Sequence, residues 1–161
     1  MLSYSEYGTA TDVPALLIVH GLYGSGRNWG VIAKRLSDAR RVITVDMRNH
    51  GDSPRYDSHS YPDMARDLAE VIRHIGAPMD VCGHSMGGKA AMMLALQDAD
   101  LVRRLIVADI APVAYDHSQL EYITAMRSVD LASLTRRSDA AEQLAAAGIE
   151  PALQSFFTQS L

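Results

Sequence analysis

The sequence has little of what a secreted or membrane-spanning protein needs. Its single cysteine, Cys82, excludes an internal disulfide. The longest apolar runs, 15–19 and 90–96, are far shorter than a membrane-spanning helix. The first residues lack the basic segment and apolar run of a secretory signal. These absences predict a soluble protein of a reducing compartment, most simply the cytoplasm, with no membrane association.

Basic residues are also too few and too scattered for a nucleic-acid-binding surface. The chain carries 15 Lys and Arg against 19 Asp and Glu, a formal net charge of −4. We interpret its paired arginines as solvated ends of helices and strands: Arg40-Arg41, Arg103-Arg104 and Arg136-Arg137. The glycine-rich loop 20–26 lacks the Lys-Ser/Thr of a P-loop, which argues against nucleotide binding.

Apolar runs that alternate with helical patterns indicate an α/β fold with a mostly parallel sheet and flanking helices. At 161 residues and 48% hydrophobic content the chain can bury one sizeable core. We predict strands at 1–7, 15–19, 41–45, in the run that ends at Gly83, and as a buried strand at 105–108. Helices are predicted at 28–36, at 61–75, where Pro62 lies in the first turn and Gly76 stops the helix, and after Ser85.

The pattern changes beyond Pro112. Three helical segments, roughly 118–129, 138–147 and 151–161, follow without a strand between them. Helices added after a series of alternating strands and helices are typical of a lid over the carboxyl end of the sheet. The predicted organisation is therefore a core at 1–112 and a helical lid segment at 113–161.

One local motif carries a specific chemical prediction. The string GHSMGGKA at 83–90 places Ser85 in a G-x-S-x-G sequence, after a predicted strand and before a predicted helix. Such a turn is a nucleophile elbow, in which glycines allow strand and helix to approach closely enough for a strained serine. Its alternative, an ordinary Gly/Ser turn that caps a helix, is disfavoured because the strand and helix context is present.

The same motif predicts two main-chain donors for an oxyanion. In elbow enzymes one N–H comes from the residue after the nucleophile and another from an early strand-to-helix loop. Here these are Met86 and, in the glycine-rich loop, Leu22. We expect His20 to orient that loop through its ring and not to act as a base.

A second polar loop, 46–54, invites a metal or acid/base interpretation because it contains Asp46, Arg48, His50 and Asp52. Its spacing lacks the rigidity of metal-binding motifs such as H-E-x-x-H. We favour a loop tied by its own ion pairs and turns, and expect neither a metal ion nor an organic cofactor.

Taken together, these strings resemble the α/β-hydrolase superfamily over essentially the whole chain. The combination of DMRNHG at 46–51, GHSMGGKA at 83–90 and DIAPV at 109–113 is similar to small bacterial esterases of the YbfF type and their mitochondrial relatives. The resemblance implies hydrolysis of short to medium acyl esters or thioesters through an acyl-enzyme on Ser85. It also implies that Asp109 is the catalytic acid, against the alternative of an Asp that caps the first turn after a strand.

One element of the superfamily pattern is not found. The catalytic histidine of that pattern follows the acid and the last strand, and no histidine here holds that place. We expect the carboxyl-terminal strands and this histidine to belong to a remainder of the same polypeptide, and little activity without them. The alternatives are a complete, degenerate protein and a substitute role for His117, both of which we disfavour. Other functions stay open: a small-molecule-binding protein on the same scaffold, a carbon–carbon bond hydrolase or a perhydrolase. Dehalogenases and epoxide hydrolases are disfavoured because their nucleophile is Asp.

Overall fold

The computed structural model describes residues 1–76, 78–116 and 118–161. Its sheet has five strands in the order β1-β3-β2-β4-β5, which are β1 (Tyr4–Tyr7), β2 (Leu16–Val19), β3 (Val42–Val45), β4 (Met79–His84) and β5 (Val102–Ala108). β1 pairs antiparallel with β3, and every other pair is parallel. The predicted fold class, an α/β fold with a mostly parallel sheet, is confirmed.

Helices cover both faces of the central strands. The helices of this part are α1 (Gly30–Leu36), α2 (Tyr61–Ile75) and α3 (Met86–Gln97). In β2, Leu17 and Val19 join the core cluster that contains α2 and α3, whereas Leu16 and Ile18 pack with Ala33 of α1. Because successive strand residues point to opposite faces, a strand covered on both sides is apolar throughout, as the sequence of β2 predicts.

α2 begins and ends where its sequence predicts. The hydroxyl of Ser60 accepts the N–H of Asp63 at the helix start, and Pro62 lies in the first turn. Gly76 follows the last residue with φ of +107°. Met64, Leu68 and Ile72 are buried along one face, so the helix is fixed to the sheet by its apolar stripe.

The prediction that 105–108 is a buried strand is wrong for the described chain. β5 is an edge strand, and the side chains of Leu105 and Ile106 are 37% and 53% exposed. The apolar run predicts the strand correctly, but burial depends on what lies beside it. Only β4 pairs with β5 among the described residues, which leaves apolar surface accessible.

The amino end of β4 corrects the interpretation of two arginines as solvated. Asp80 is buried, with a side chain 5% exposed, and its carboxylate oxygens lie 2.8 Å from Nη2 of Arg40 and 3.0 Å from Nε of Arg103. Arg40 also donates to the carbonyl of Pro14. These arginines therefore neutralise a buried charge, which their positions at element ends do not reveal.

The chain divides into two compact units, Met1–Pro112 and Val113–Leu161. The helices named above belong to the first unit. The helices of the second unit are α4 (Leu120–Arg127), α5 (Arg137–Ala146) and α6 (Pro151–Phe157). Phe157 is buried and its ring lies 5.8 Å from that of Tyr122. Within the described residues of the whole chain, no helix has both the length and the apolar character that a membrane crossing requires.

Candidate active site

Ser85 lies at the bend between β4 and α3 in a strained backbone conformation. Its φ of +50° and ψ of −119° lie outside the regions that residues with a side chain ordinarily occupy. The backbone is fixed on both sides, because the Ser85 N–H donates to the Ala108 carbonyl at 2.9 Å and the Ser85 carbonyl accepts from Gly88 N–H at 2.9 Å. The side chain is half-buried, and in the described part of the chain its hydroxyl makes no hydrogen bond.

Glycines permit this bend by close backbone approach. A Cβ on Gly83 would overlap the carbonyl oxygen of Gly87, and a Cβ on Gly87 would overlap the carbonyl oxygens of Val19 and His20. Any side chain at either position would push α3 away from β4 and β2. The two glycines of the motif are therefore required by contact between backbones.

The two candidate oxyanion donors are the main-chain amides of Met86 and Leu22. Met86 is the first residue of α3, where helical N–H groups have no intrahelical partner. Leu22 lies in the loop after β2, and a Cβ built on its neighbour Gly21 would stand 3.3 Å from Cβ of Ser85. Among the described residues, neither the Leu22 N–H nor the Met86 N–H donates to an acceptor.

His20 has the orienting role expected from the sequence. Its ring is fully buried, its Nε2 accepts the Met47 N–H at 2.9 Å, and its Nδ1 lies 2.7 Å from the Gly21 carbonyl oxygen. Since Nε2 accepts, the ring proton is on Nδ1, which donates to Gly21. Burial lowers the pKa of His20 to about 4, so the ring is neutral near pH 7.

Asp46 organises the polar loop after β3. Its Oδ1 accepts the Gly26 N–H at 2.7 Å and its Oδ2 accepts the Asp52 N–H at 2.9 Å. The contact with Asp52 lies within the loop, as expected, whereas the contact with Gly26 joins the loop to the segment after β2. Within the described residues no group of three or more His, Cys, Asp and Glu side chains could hold a metal ion.

The ion pairs of Arg48 differ from the expectation that they stay within the loop. The buried guanidinium of Arg48 forms a bidentate ion pair with Asp67 of α2, in which Nε donates at 2.6 Å and Nη2 at 2.9 Å. It also lies 3.6 Å from Asp63 and 4.6 Å from the ring centre of Tyr56. Arg48 thus fastens the loop to a helix, an interaction between distant positions that the local sequence does not predict.

Asp109 lies directly after β5, at the same edge of the sheet as Ser85. Its φ is +58°, unusual for a residue with a side chain, and its side chain is 84% exposed. Oδ2 of Asp109 lies 3.6 Å from Nε2 of His84. The structure therefore brings Asp109 beside the neighbour of Ser85, with most of its carboxylate open to solvent.

No described histidine is placed to act on Ser85. His20 and His50 are bound to backbone groups of the loops after β2 and β3. The exposed His59 and His74 lie before and within α2, and the ring of His84 lies against Trp29 at 5.9 Å. The remaining histidine, His117, lies outside the described residues.

His50 has a partner that the sequence analysis missed. Its Nε2 accepts the Tyr23 N–H at 3.2 Å, so the loop after β3 is bound to the loop after β2. The only signal in the sequence is that both loops follow predicted parallel strands and so meet at one sheet edge. Which ring meets which amide depends on the strand order.

Comparison with known proteins matches this chain to one family model and to relatives named as lipases or esterases. Residues 14–159 match the family model described as alpha/beta hydrolase fold. The sn-1-specific diacylglycerol lipase ABHD11 of Mus musculus is 39% identical, over 99% of this chain and 55% of the relative. Esterase YbfF of Escherichia coli is 46% identical, over 62% of this chain and 40% of the relative.

A solved structure, a marine microorganism esterase, superposes with a TM-score of 0.90 at 40% identity. The superposition covers 98% of this chain and 62% of that one. The chain thus spans about half the length of the curated relatives it matches.

Proposed function

Since the chain belongs to the alpha/beta hydrolase fold family, we propose that it acts as a serine-dependent hydrolase of short to medium acyl carboxylic esters or thioesters. One observation carries the proposal: the hydroxyl of Ser85 is held at a strained bend beside two main-chain amides that have no partner among the described residues. This is the arrangement that attack on a carbonyl carbon requires.

In this proposal Ser85 Oγ attacks the acyl carbon and the carbonyl oxygen becomes an oxyanion. The N–H groups of Leu22 and Met86 donate to that oxyanion, and the positive end of α3 adds to its stabilisation. The base that took the proton of Ser85 gives it to the departing oxygen or sulfur, the alcohol or thiol leaves, and water hydrolyses the acyl-enzyme to release the acid. The mechanism uses no metal ion or organic cofactor.

Ser85 also needs a base that takes its proton. We propose a histidine from polypeptide beyond residue 161, held by the largely exposed carboxylate of Asp109. Two facts support this: none of the described histidines is bonded to Ser85, and the curated relatives are about twice as long as the aligned region. Residues 1–161 by themselves are then expected to have little activity.

Substrate class is proposed from the same sources. The printed names of the relatives, a diacylglycerol lipase and an esterase, support carboxylic esters and make a diacylglycerol a useful test substrate. We propose that the helical segment Val113–Leu161 forms a lid that selects the acyl chain, because helices without strands follow the core there.

The test uses the full-length gene product, a serine-reactive fluorophosphonate and acyl esters of graded chain length. We expect labelling and turnover that both disappear in Ser85→Ala and persist in Ser5→Ala, a matched change at an exposed serine of β1. A folded full-length protein without label and without turnover would contradict the proposal and favour a binding protein on this scaffold. Labelling without ester turnover would point to a carbon–carbon bond hydrolase or perhydrolase.

A further inference from the structure

The loops after β2 and β3 are joined by two histidines in a reciprocal arrangement. His20 of the first loop accepts the N–H of Met47 in the second at 2.9 Å. His50 of the second loop accepts the N–H of Tyr23 in the first at 3.2 Å. The two rings meet edge to face with centroids 5.1 Å apart. Each loop therefore supplies a ring that binds the backbone of the other.

The remaining ring nitrogens fix the proton on each histidine. Nδ1 of His20 donates to the Gly21 carbonyl at 2.7 Å, and Nδ1 of His50 donates to the Arg48 carbonyl at 2.9 Å. Both rings must be neutral for this pattern, because Nε2 needs its lone pair to accept an N–H. Burial lowers the pKa of both His20 and His50, which keeps them in that form.

These bonds hold the two peptide groups on either side of Leu22. The Gly21 carbonyl, bound by His20, belongs to the same peptide group as the Leu22 N–H. The Tyr23 N–H, bound by His50, belongs to the next peptide group along the chain. Tyr23 has φ of +64°, a conformation that a bulky residue keeps only when its surroundings enforce it.

We propose that His50 is a positioning residue for the oxyanion hole: by holding the Tyr23 N–H it keeps the Leu22 N–H directed at the position of the oxyanion, while His20 holds the carbonyl of the same peptide group. The inference rests on the proposed function. No described contact joins the ring of His50 to Ser85, and His50 acts through the loop that carries Leu22.

The hydrogen bond between His50 and the Tyr23 N–H should be lost when His50 takes up a proton in acid. The groups that face His50 are His20, Asp46, Arg55 and His59, and His20 also faces His84. Burial lowers the pKa of His50 and Arg55 lowers it further, whereas the hydrogen bond to the Arg48 carbonyl and the charge of Asp46 raise it. A proton on Nε2 would turn it into a donor that opposes the Tyr23 N–H and would release the loop.

The test compares three variants of the full-length protein. His50→Leu removes the acceptor, His50→Gln retains an oxygen acceptor on a side chain of similar reach, and His74→Gln is a control at an exposed histidine of α2. We expect His50→Leu to lower kcat about 10²-fold with little change in KM, because removal of an oxyanion donor costs about that much. His50→Gln should recover most of the loss, and His74→Gln should match the wild type.

The pH profile separates positioning from a purely structural role. As the pH falls from neutral, log kcat should fall more steeply in the wild type than in His50→Gln, because a proton on His50 releases the loop in addition to the protonation of the catalytic base. In His50→Gln only the base and His20, which both proteins share, contribute to the slope. If circular dichroism shows that His50→Leu does not fold, the slopes of the wild type and His50→Gln are sufficient to test the proposed role of His50.

The outcomes of the proposed function and of this inference are distinct. A wild type that neither labels nor turns over esters defeats the proposed function before any variant is compared. An active wild type with a folded His50→Leu of unchanged kcat would overturn this inference, and so would equal slopes in the wild type and His50→Gln.

Discussion

At the amino end of β4, Asp80 is buried between the guanidinium groups of Arg40 and Arg103. At the carboxyl end Ser85 follows on a strained bend, and its hydroxyl has no charged partner in the part of the chain that the structure describes. The first end is held by opposite charges that satisfy one another. The second end is held by the close backbone approach at Gly83 and Gly87, and the loops after β2 and β3 at the same sheet edge are held by neutral imidazoles. One strand thus separates a carboxylate that stabilises the fold from the hydroxyl to which we assign the proposed chemistry.

After the loss of Ser85 itself, substitution of Asp109 should give the largest effect on catalysis at the carboxyl end. We expect Asp109→Asn in the full-length protein to lower kcat about 10⁴-fold, because an amide no longer stabilises the imidazolium that forms during acyl transfer. The unfolding free energy should change little, since the side chain is 84% exposed. Steady-state kinetics with thermal unfolding checks both. A near-normal rate would assign the acid to another residue.

The matching change at the amino end should affect stability and spare the chemistry. Asp80→Ala leaves two arginines without their buried partner, and we expect a loss of about 3–5 kcal/mol in unfolding free energy. Urea denaturation measures this loss, and the fraction of Ser85 labelled by fluorophosphonate in the folded protein should stay the same. The control is Arg104→Ala, at an exposed arginine with no ion pair in the described structure. Equal stability of the two variants would contradict this assignment.

Acid should loosen the carboxyl end through its neutral histidines. The folded pKa of His20, about 4, is lower than its ordinary value of 6.5, so the unfolded chain binds more protons between these values. The unfolding free energy should therefore fall as the pH drops from 6.5 to 4, by about 3 kcal/mol from His20. Urea denaturation across this range checks the slope. In His20→Asn the slope should be shallower, and an unchanged slope would remove His20 as its source.

A surface ion pair should have the smallest effect. Arg73 and Asp98 lie 2.5 Å apart at the surface, with side chains 57% and 29% exposed. Arg73→Ala should cost less than about 1 kcal/mol and leave kcat unchanged, because solvent screens such a pair. Chemical denaturation at low and high salt measures it. If Arg73→Ala lowered the unfolding free energy as much as Asp80→Ala, burial would not explain the difference between this surface ion pair and the buried ion pairs of Asp80.

The features that could be predicted from the sequence depend on residues that are close together along the chain. The elbow is readable because Gly83, Ser85 and Gly87 lie within five positions, and α2 is readable from Ser60, Pro62 and Gly76. The covered strand β2 is readable because apolar residues on both faces leave no alternation. Each signal is local, so the sequence alone predicts it.

The features that could not be predicted depend on which strands become neighbours. Asp80 forms ion pairs with Arg40 and Arg103, which lie 40 and 23 positions away in the sequence. The hydrogen bond between Tyr23 and His50 joins residues 27 positions apart. The exposure of Ile106 follows from the place of β5 at the sheet edge and not from its apolar composition. Such contacts require the strand order, which the sequence pattern does not supply.

The central claim is that Ser85 carries the acyl group, and its most direct measurement is mass spectrometry of full-length protein quenched during turnover of an acyl ester. The account predicts a mass increase equal to the acyl group, assigned by peptide mapping to Ser85 and absent from Ser85→Ala. An acyl group mapped to another residue, or turnover that persists undiminished in Ser85→Ala, would contradict it.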